Sequence, residues 1–314
     1  MNAAVLHAAR ATPRAEAFPD PTPHEGEVIA RVLAAGLHQL VRIHANNTHY
    51  SSHGQYPMVP GVDGVAELPD GRIAYVGWPR APYGTFAEQV AVMPYRAIEL
   101  PPGLSPVVAA AIVNPASSGW LSLRLRARMQ PGERVLVLGA TGTSGKLAVQ
   151  IARALGAGRV IAAGRNEAVL AALGADATLR VDAPDFAAQL AAELAGGLDI
   201  VLDYLWGAPA ETTLAAILAA RTALIGRRVR YVNIGQSAGD HIRLSPHALR
   251  SLDLELSGSG LGSVTPAEMA AEVPALLAQA ARGAITIDHA VVPLAEIEAA
   301  WQRPGDGRRI VVVP

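Results

Sequence analysis

Along the first hundred residues, apolar positions come in short runs broken by turn residues. Val28-Ile29-Ala30-Arg31-Val32 reads as a strand, and residues 61–68 and 72–76 read as two more. Pro69-Asp70-Gly71 lies between the latter two, where Pro presets φ and Gly accepts a positive φ, so the pair predicts a hairpin. Pro and Gly are frequent and long helical periodicity is absent, which predicts a β-rich domain, a barrel or a sandwich. Near residue 105 the pattern changes. Residues 106–111 are rich in Ala and Val, and residues 120–126 have a helical pattern. From Arg134 onward, apolar strands (134–138, 159–163, 198–202, 230–234, 252–257) alternate with helices (146–155, 167–173, 208–220). That alternation predicts βαβ units and a parallel sheet. Thr265 with Glu268 three residues on forms a capping box that opens a helix to Ala281. A strand at 285–292, a helix at 294–301 and a strand at 309–313 follow, and these could extend either domain.

Val135-Leu136-Val137-Leu138-Gly139-Ala140-Thr141-Gly142-Thr143-Ser144-Gly145 carries the strongest chemical signal. A buried strand runs into a Gly-rich turn that opens a helix inside a βαβ unit, the context that dinucleotide binding requires. Gly142 lets the backbone approach a pyrophosphate, Gly145 lets the helix pack on the strand, and the helix N-terminus offers free N–H groups. The first position of G-x-G-x-x-G is Ala140 here. The next strand ends in Gly164-Arg165-Asn166 rather than in the carboxylate that binds a ribose 2′-OH in NAD enzymes. Gly164 leaves nothing to repel a 2′-phosphate and Arg165 offers a donor fork for one, which points to NADPH. Glu167 is the alternative ribose acceptor and keeps NAD in contention.

Composition narrows the classes. The chain has 314 residues, 51% of them hydrophobic, enough for two domains with real cores. It has no Cys, so disulfides, thiolate zinc sites and Cys nucleophiles are excluded. A net charge of −1 gives no footprint for nucleic acid or an anionic membrane. No apolar run approaches a membrane span and the N-terminus lacks the pattern of a signal peptide, so a cytoplasmic protein is expected. Lys146 is the single Lys among the 26 basic residues; it follows Gly145 and reads as an exposed helix residue, with a phosphate contact as the alternative.

The order of these parts resembles the medium-chain dehydrogenase/reductase superfamily, and most of all its zinc-free quinone-oxidoreductase branch. The resemblance is carried by Pro57-Met58-Val59-Pro60-Gly61-Val62-Asp63-Gly64, Tyr83-Gly84-Thr85-Phe86-Ala87-Glu88 and Asn114-Pro115-Ala116-Ser117-Ser118-Gly119-Trp120. The Gly-rich turn, Leu173-Gly174-Ala175-Asp176, Asp199-Ile200-Val201-Leu202-Asp203 and the closing Gly307-Arg308-Arg309-Ile310-Val311-Val312 extend it over essentially the whole chain. It implies an α/β architecture: a Rossmann doubly wound parallel sheet (113–262) inserted in a GroES-like β-rich domain (1–112 and 263–314). It also implies NADPH-dependent reduction of a quinone, enone or related carbonyl. The cofactor set is then Asn114, Ser118, Ala140, Thr141, Gly142, Thr143, Ser144, Gly145, Gly164, Arg165, Asn166, Asn233 and Gly235. A homodimer paired through a sheet edge is implied too, with the alternating 252–257 strand as the suitable element.

Zinc-dependent members of that superfamily place Cys where this chain has His38, and His-Glu where it has Val62-Asp63. The four-Cys lobe is absent. No metal is therefore expected, and hydrogen-bond donors must stabilise the oxyanion that hydride transfer creates. The matching loop is rich in polar residues, and Tyr50 as phenol donor with His38 as donor or orienter are the catalytic candidates. His38, His44, His49 and His53 fall within sixteen residues; a polar substrate-cleft loop is the plainer reading and a metal group the rival one. Short-chain reductase chemistry needs Tyr-x-x-x-Lys, and Gly142 stands four residues before the single Lys. A non-catalytic NADP(H)-binding sensor on the same fold is the remaining alternative to an enzyme. The expected partner is a small-molecule substrate.

Overall fold

The hairpin at Pro69-Asp70-Gly71 closes as its turn chemistry dictates. Gly71 has φ +85, Leu68 N–H donates to the Arg72 carbonyl, and Asp70 accepts from the Arg72 N–H. The strands it joins, Asp63–Glu67 and Ile73–Gly77, pair antiparallel. The computed structural model describes residues 1–48, 52, 54–260, 262–305 and 307–314. It divides into two units: residues 1–114 with 270–314, and residues 115–269.

The first unit is β-rich. Its sheet runs in the order His289–Pro293, Arg309–Val313, Val28–Leu37, Asp63–Glu67, Ile73–Gly77, Ile98–Glu99, with Gln89–Val92 also paired to Val28–Leu37. Val28–Leu37 is longer than its five-residue apolar signal because its second half pairs with Arg309–Val313. A register shift between Val32 and Ala34 marks where the strand bends. The strand expected at 285–292 forms only as His289–Pro293, parallel to Arg309–Val313. The helix expected at 294–301 splits into a 3-10 turn, Leu294–Glu296, and the helix Ile297–Gln302.

The second unit holds six parallel strands in the order Ala177–Arg180, Arg159–Gly164, Arg134–Leu138, Ile200–Asp203, Arg228–Asn233, Asp253–Gly258. This is the doubly wound order, reversing between the third and fourth positions of the sheet, where such folds bind ligands at the carboxyl ends of strands. Leu136, Leu138, Ile161, Val201 and Tyr231 are fully buried among the helices that cover the sheet. Burial on both faces is why the central strands read as continuous apolar runs. Ala177–Arg180 and the helix Phe186–Leu194 are elements that the apolar pattern does not announce. The strand buries only Leu179, as an edge strand does, and the helix buries Phe186, Leu190 and Leu194 at four-residue spacing.

The helix Pro106–Leu121 continues into a π-helical turn, Ser122–Arg126, where Ala127 N–H reaches the Ser122 carbonyl. Thr265 and Glu268 form the expected capping box: Thr265 N–H donates to the Glu268 carboxylate, and Glu268 N–H donates to Thr265 Oγ1. Among the described residues no helix is long and apolar enough to cross a membrane.

Candidate functional site

In the second unit, the strand Arg134–Leu138 ends against the turn, and the helix Thr143–Ala154 starts from Gly142. The turn glycine is Gly139, with φ +86, one residue before the motif's Ala140 position. Ala140 itself is fully buried, so its methyl group belongs to the core. Gly142 is the N-cap in extended conformation and makes no side-chain cap, so the first N–H groups of the helix, from Thr143 to Gly145, are left for a ligand. A Cβ on Gly145 would lie 2.2 Å from the Gly139 carbonyl oxygen, which only Gly permits. The free N–H groups and the positive end of the helix dipole fit the pyrophosphate of a dinucleotide.

Beside this turn, the strand Arg159–Gly164 ends on Gly164. A Cβ there would meet the Thr141 side chain at 2.5 Å, so packing against the turn, and not only charge, demands Gly. Arg165 is exposed, and its charge acts on Asp182. Asn166 caps the next helix, its Oδ1 accepting from Val169 N–H at 3.1 Å. Glu167 is 81% exposed, with Arg180 3.7 Å away. Arg180 stands directly opposite Gly164 in the ladder and is held by Asp182 through two hydrogen bonds. Sequence reasoning missed it because its strand was missed.

The other strand ends line up in register: Leu138 with Asp203, Asp203 with Asn233, and Asn233 with Gly258. Asp203 is fully buried. It accepts from the N–H groups of Leu205 and Trp206 and from the Tyr231 hydroxyl at 2.8 Å. Burial raises its carboxyl above the ordinary range, opposed by those three donors. Asn233 Nδ2 donates to the Gly235 carbonyl, and a Cβ on Gly235 would crowd the Tyr204 carbonyl oxygen at 2.9 Å. The Tyr204 hydroxyl pairs with Ser118 Oγ at 3.1 Å, and burial pushes its ionisation far up, so it stays a neutral phenol. Asn114 lies one helical turn before Ser118 in the same helix and is half-buried. Tyr204 was not among the sequence candidates. Its signal is its place directly after the strand Ile200–Asp203, at the end of the sheet where ligands bind.

In the first unit, four strands converge on Asp63. His38 follows Val28–Leu37 and is the N-cap of the helix Gln39–Ala45. Asp63 opens its strand opposite Gly77, which leaves room on that face, and Tyr75 lies diagonally across, within reach of a long side chain. His38 and Asp63 are each 4% exposed, and His38 Nε2 lies 2.8 Å from Asp63 Oδ1. The Tyr75 hydroxyl donates to Asp63 Oδ2 at 2.5 Å. Burial first, and the Asp63 charge second, hold the Tyr75 phenol well above its usual range. Arg309 donates to the Leu37 carbonyl at 3.2 Å. Burial lowers its guanidinium from the ordinary value, and the charge of Asp63 opposes that shift. A carboxylate only accepts, so His38 Nε2 carries a proton; in the neutral ring Nδ1 then bears the lone pair. Nδ1 is buried and has no hydrogen-bond partner among the described residues.

Tyr50, with His49 and His53, lies outside the described residues. His44 stacks edge-on against Trp78, with ring centroids 5.5 Å apart. His38 is joined to a carboxylate, that of Asp63.

A family model described as zinc-binding dehydrogenase matches residues 145–279. A probable NADPH-dependent quinone reductase, tdiC, of Emericella nidulans is 30% identical, and the match covers 95% of this chain and 95% of that protein. The quinone oxidoreductase from Thermus thermophilus, solved also in complex with NADPH, superposes with a TM-score of 0.76 at 30% identity, covering both chains fully. The crystal structure of AibC gives a TM-score of 0.86 at 25% identity over 100% of this chain and 96% of that one.

The residues present do not fit the zinc ion in that family description. His38 Nε2 and Asp63 Oδ1 are spent on each other, and the second Asp63 oxygen is taken by Tyr75. Val62 offers no ligand atom. Among the described residues no group of three or more His, Asp or Glu side chains could hold a metal.

Proposed function

Because this chain belongs to the medium-chain dehydrogenase/reductase superfamily, in its quinone-oxidoreductase-like branch, we propose that it is an NADPH-dependent oxidoreductase reducing a quinone, enone or related carbonyl without a metal. Bound NADPH supplies the hydride. The residues 115–269 are its proposed binding unit. One observation supports the cofactor reading above the others. The strand–turn–helix at Gly139, Gly142 and Gly145 leaves bare N–H groups near the exposed Arg165.

In this reading the N–H groups from Thr143 to Gly145, with the Thr143 and Ser144 hydroxyls, hold the pyrophosphate. Thr141 and Gly164 shape the wall beside the adenosine ribose, Asn166 fixes the turn that presents Arg165, and Arg165 binds the 2′-phosphate. Asn114, Ser118, Asn233 and Gly235 line the remainder of the dinucleotide path. Ala140 contributes by packing, its buried methyl holding the turn against the sheet. Tyr50 is retained as a candidate phenol donor to the acceptor.

Two further readings accompany this one. The strand Asp253–Gly258 ends the six-stranded sheet, with Leu254 and Leu256 packed into its core, and the backbone edge of such a strand suits pairing with a second copy as a homodimer. A cytoplasmic location suits a cysteine-free chain drawing on NADPH.

Titration of the protein with NADPH and with NADH, followed by nicotinamide fluorescence, tests the reading. NADPH binding well ahead of NADH, with turnover of at least one quinone or enone, is expected. Tight NADPH binding without any turnover would favour a sensor on the same fold.

A further inference from the structure

The buried His38 nitrogen without a partner needs a reason. Leaving a buried polar atom unpaired is costly, and a functional role is one reason such an atom persists. His38 is not loosely placed. It is gripped through Nε2 by Asp63, which is itself gripped by Tyr75; Asp63 and Tyr75 sit on neighbouring strands of one sheet, and His38 directly follows a third. These bonds fix the ring and, among the described residues, leave Nδ1 uncommitted; the Arg309 Nε is the other buried atom of this group without a partner. The positions that hold a metal in zinc-dependent relatives therefore hold a closed hydrogen-bonded chain with one open end.

We propose that Tyr75, Asp63 and His38 form a proton-donating relay that takes the place of the metal, with His38 Nδ1 as its working end and Asp63 and Tyr75 as positioning residues. This rests on the reductase reading above and deepens it. Hydride transfer to a quinone or enone leaves one negative charge on oxygen, and the neutral product needs one proton. The His38 imidazolium supplies it: the Nδ1–H bond breaks, an O–H bond forms on the product, and the electron pair of the N–H bond stays on Nδ1. The ring returns to the Nε2–H form that Asp63 holds, and a proton from water restores the imidazolium. NADPH is the sole reductant, and one hydride and one proton account for the reduction.

Asp63 selects the tautomer, since its carboxylate accepts only from Nε2–H. Tyr75 keeps Asp63 from rotating away. Arg309 is the opposing charge in the same group, in electrostatic contact with Asp63. Asp63, Tyr75 and Arg309 are the titratable groups that the strands bring toward the ring.

The test uses the full-length protein with 1,4-benzoquinone and NADPH. Nitrogen-15 NMR of histidine-labelled protein, with His38→Gln to assign the signal, should show Nε2 protonated and Nδ1 bearing the lone pair at high pH. Asp63→Asn should lower kcat by about 10²- to 10⁴-fold, the usual worth of a positioned general acid, with NADPH affinity unchanged. It should also shift the alkaline limb of the kcat profile. Tyr75→Phe should give a smaller fall in kcat with the same NADPH affinity, which shows that the variants fold. A proton on Nδ1 in place of Nε2, or an Asp63→Asn variant with wild-type kcat and pH profile, overturns the relay. Failure of the wild type to turn over any quinone or enone overturns the reductase reading, and the acid role with it. Turnover that survives both substitutions leaves the reductase reading standing and removes the relay alone.

Discussion

Gly145 approaches Gly139 so closely that a single added methyl group would stand 2.2 Å from the Gly139 carbonyl oxygen. The helix that presents its N–H groups to a phosphate is thus seated directly on the turn. Gly145→Ala must push the helix off the strand. Overpacking of this kind costs ~1–3 kcal/mol, so thermal unfolding should move down by several degrees and NADPH binding should be lost. Gly142→Ala makes a contrasting case: its φ is −78 and the nearest atom to a new Cβ is 3.5 Å away. That variant should unfold near the wild-type temperature yet bind NADPH more weakly. Equal effects from the two substitutions would show that the turn serves packing alone.

Arg165 sets the expected preference for NADPH. A hydrogen bond to a charged group contributes ~1.5–3 kcal/mol, or about 10- to 150-fold in binding. Arg165→Ala should weaken NADPH by that factor, leave NADH nearly unchanged and flatten the salt dependence of NADPH binding. Arg180→Ala should do less, because Asp182 already holds that guanidinium. Equal weakening of both cofactors by Arg165→Ala would point back to Glu167 and the ribose.

Asp176 ties the second strand to the helix before it. Its carboxylate accepts from Val160 N–H at 2.6 Å and pairs with Arg153 at 2.8 Å. Burial raises its carboxyl, but the Val160 N–H and the Arg153 guanidinium outweigh that and leave it below its ordinary value of 3.8. A carboxyl lowered in the folded state stabilises at neutral pH, and the contribution fades as pH falls below 3.8 through the folded-state value. Asp176→Asn should therefore be less stable than the wild type at pH 7 by about 1 kcal/mol, with the gap closing in acid. Denaturant unfolding at pH 7 and below pH 4 reads this directly. A gap that widens in acid would contradict it.

Thr265 begins the helix Pro266–Ala281 with both halves of its capping box formed. Thr265→Ala should cost about 1 kcal/mol in chemical unfolding while leaving kcat at the wild-type value. A change in kcat would mean that this helix end reports on the site.

The sequence made the parallel sheet legible because its central strands are buried on both faces and spell out continuous apolar runs. It hid Ala177–Arg180 because an edge strand with one buried residue carries no such run. Arg180, which faces Gly164 across the ladder, was hidden with it. Gly164 was read for its missing carboxylate, whereas the structure adds a steric reason in Thr141. His38 and the Val62-Asp63 pair were both singled out, but their union was not visible. It depends on the register of strands 25 residues apart, which no local pattern encodes. A lone Asp inside the apolar run from Gly61 to Ala66 was the available sign that a buried partner must exist. Tyr75 carried no sign at all, since a Tyr between Ala74 and Val76 reads as ordinary strand.

The account stands or falls on catalysis with NADPH. The most direct measurement follows the absorbance of the reduced nicotinamide while the purified protein is offered a panel of quinones and enones, each with NADPH and with NADH. The account predicts oxidation of NADPH that depends on both protein and acceptor, proceeds with no added zinc, persists in the presence of a chelator and is much slower with NADH. No oxidation with any acceptor, or oxidation that a chelator abolishes and zinc restores, would contradict it.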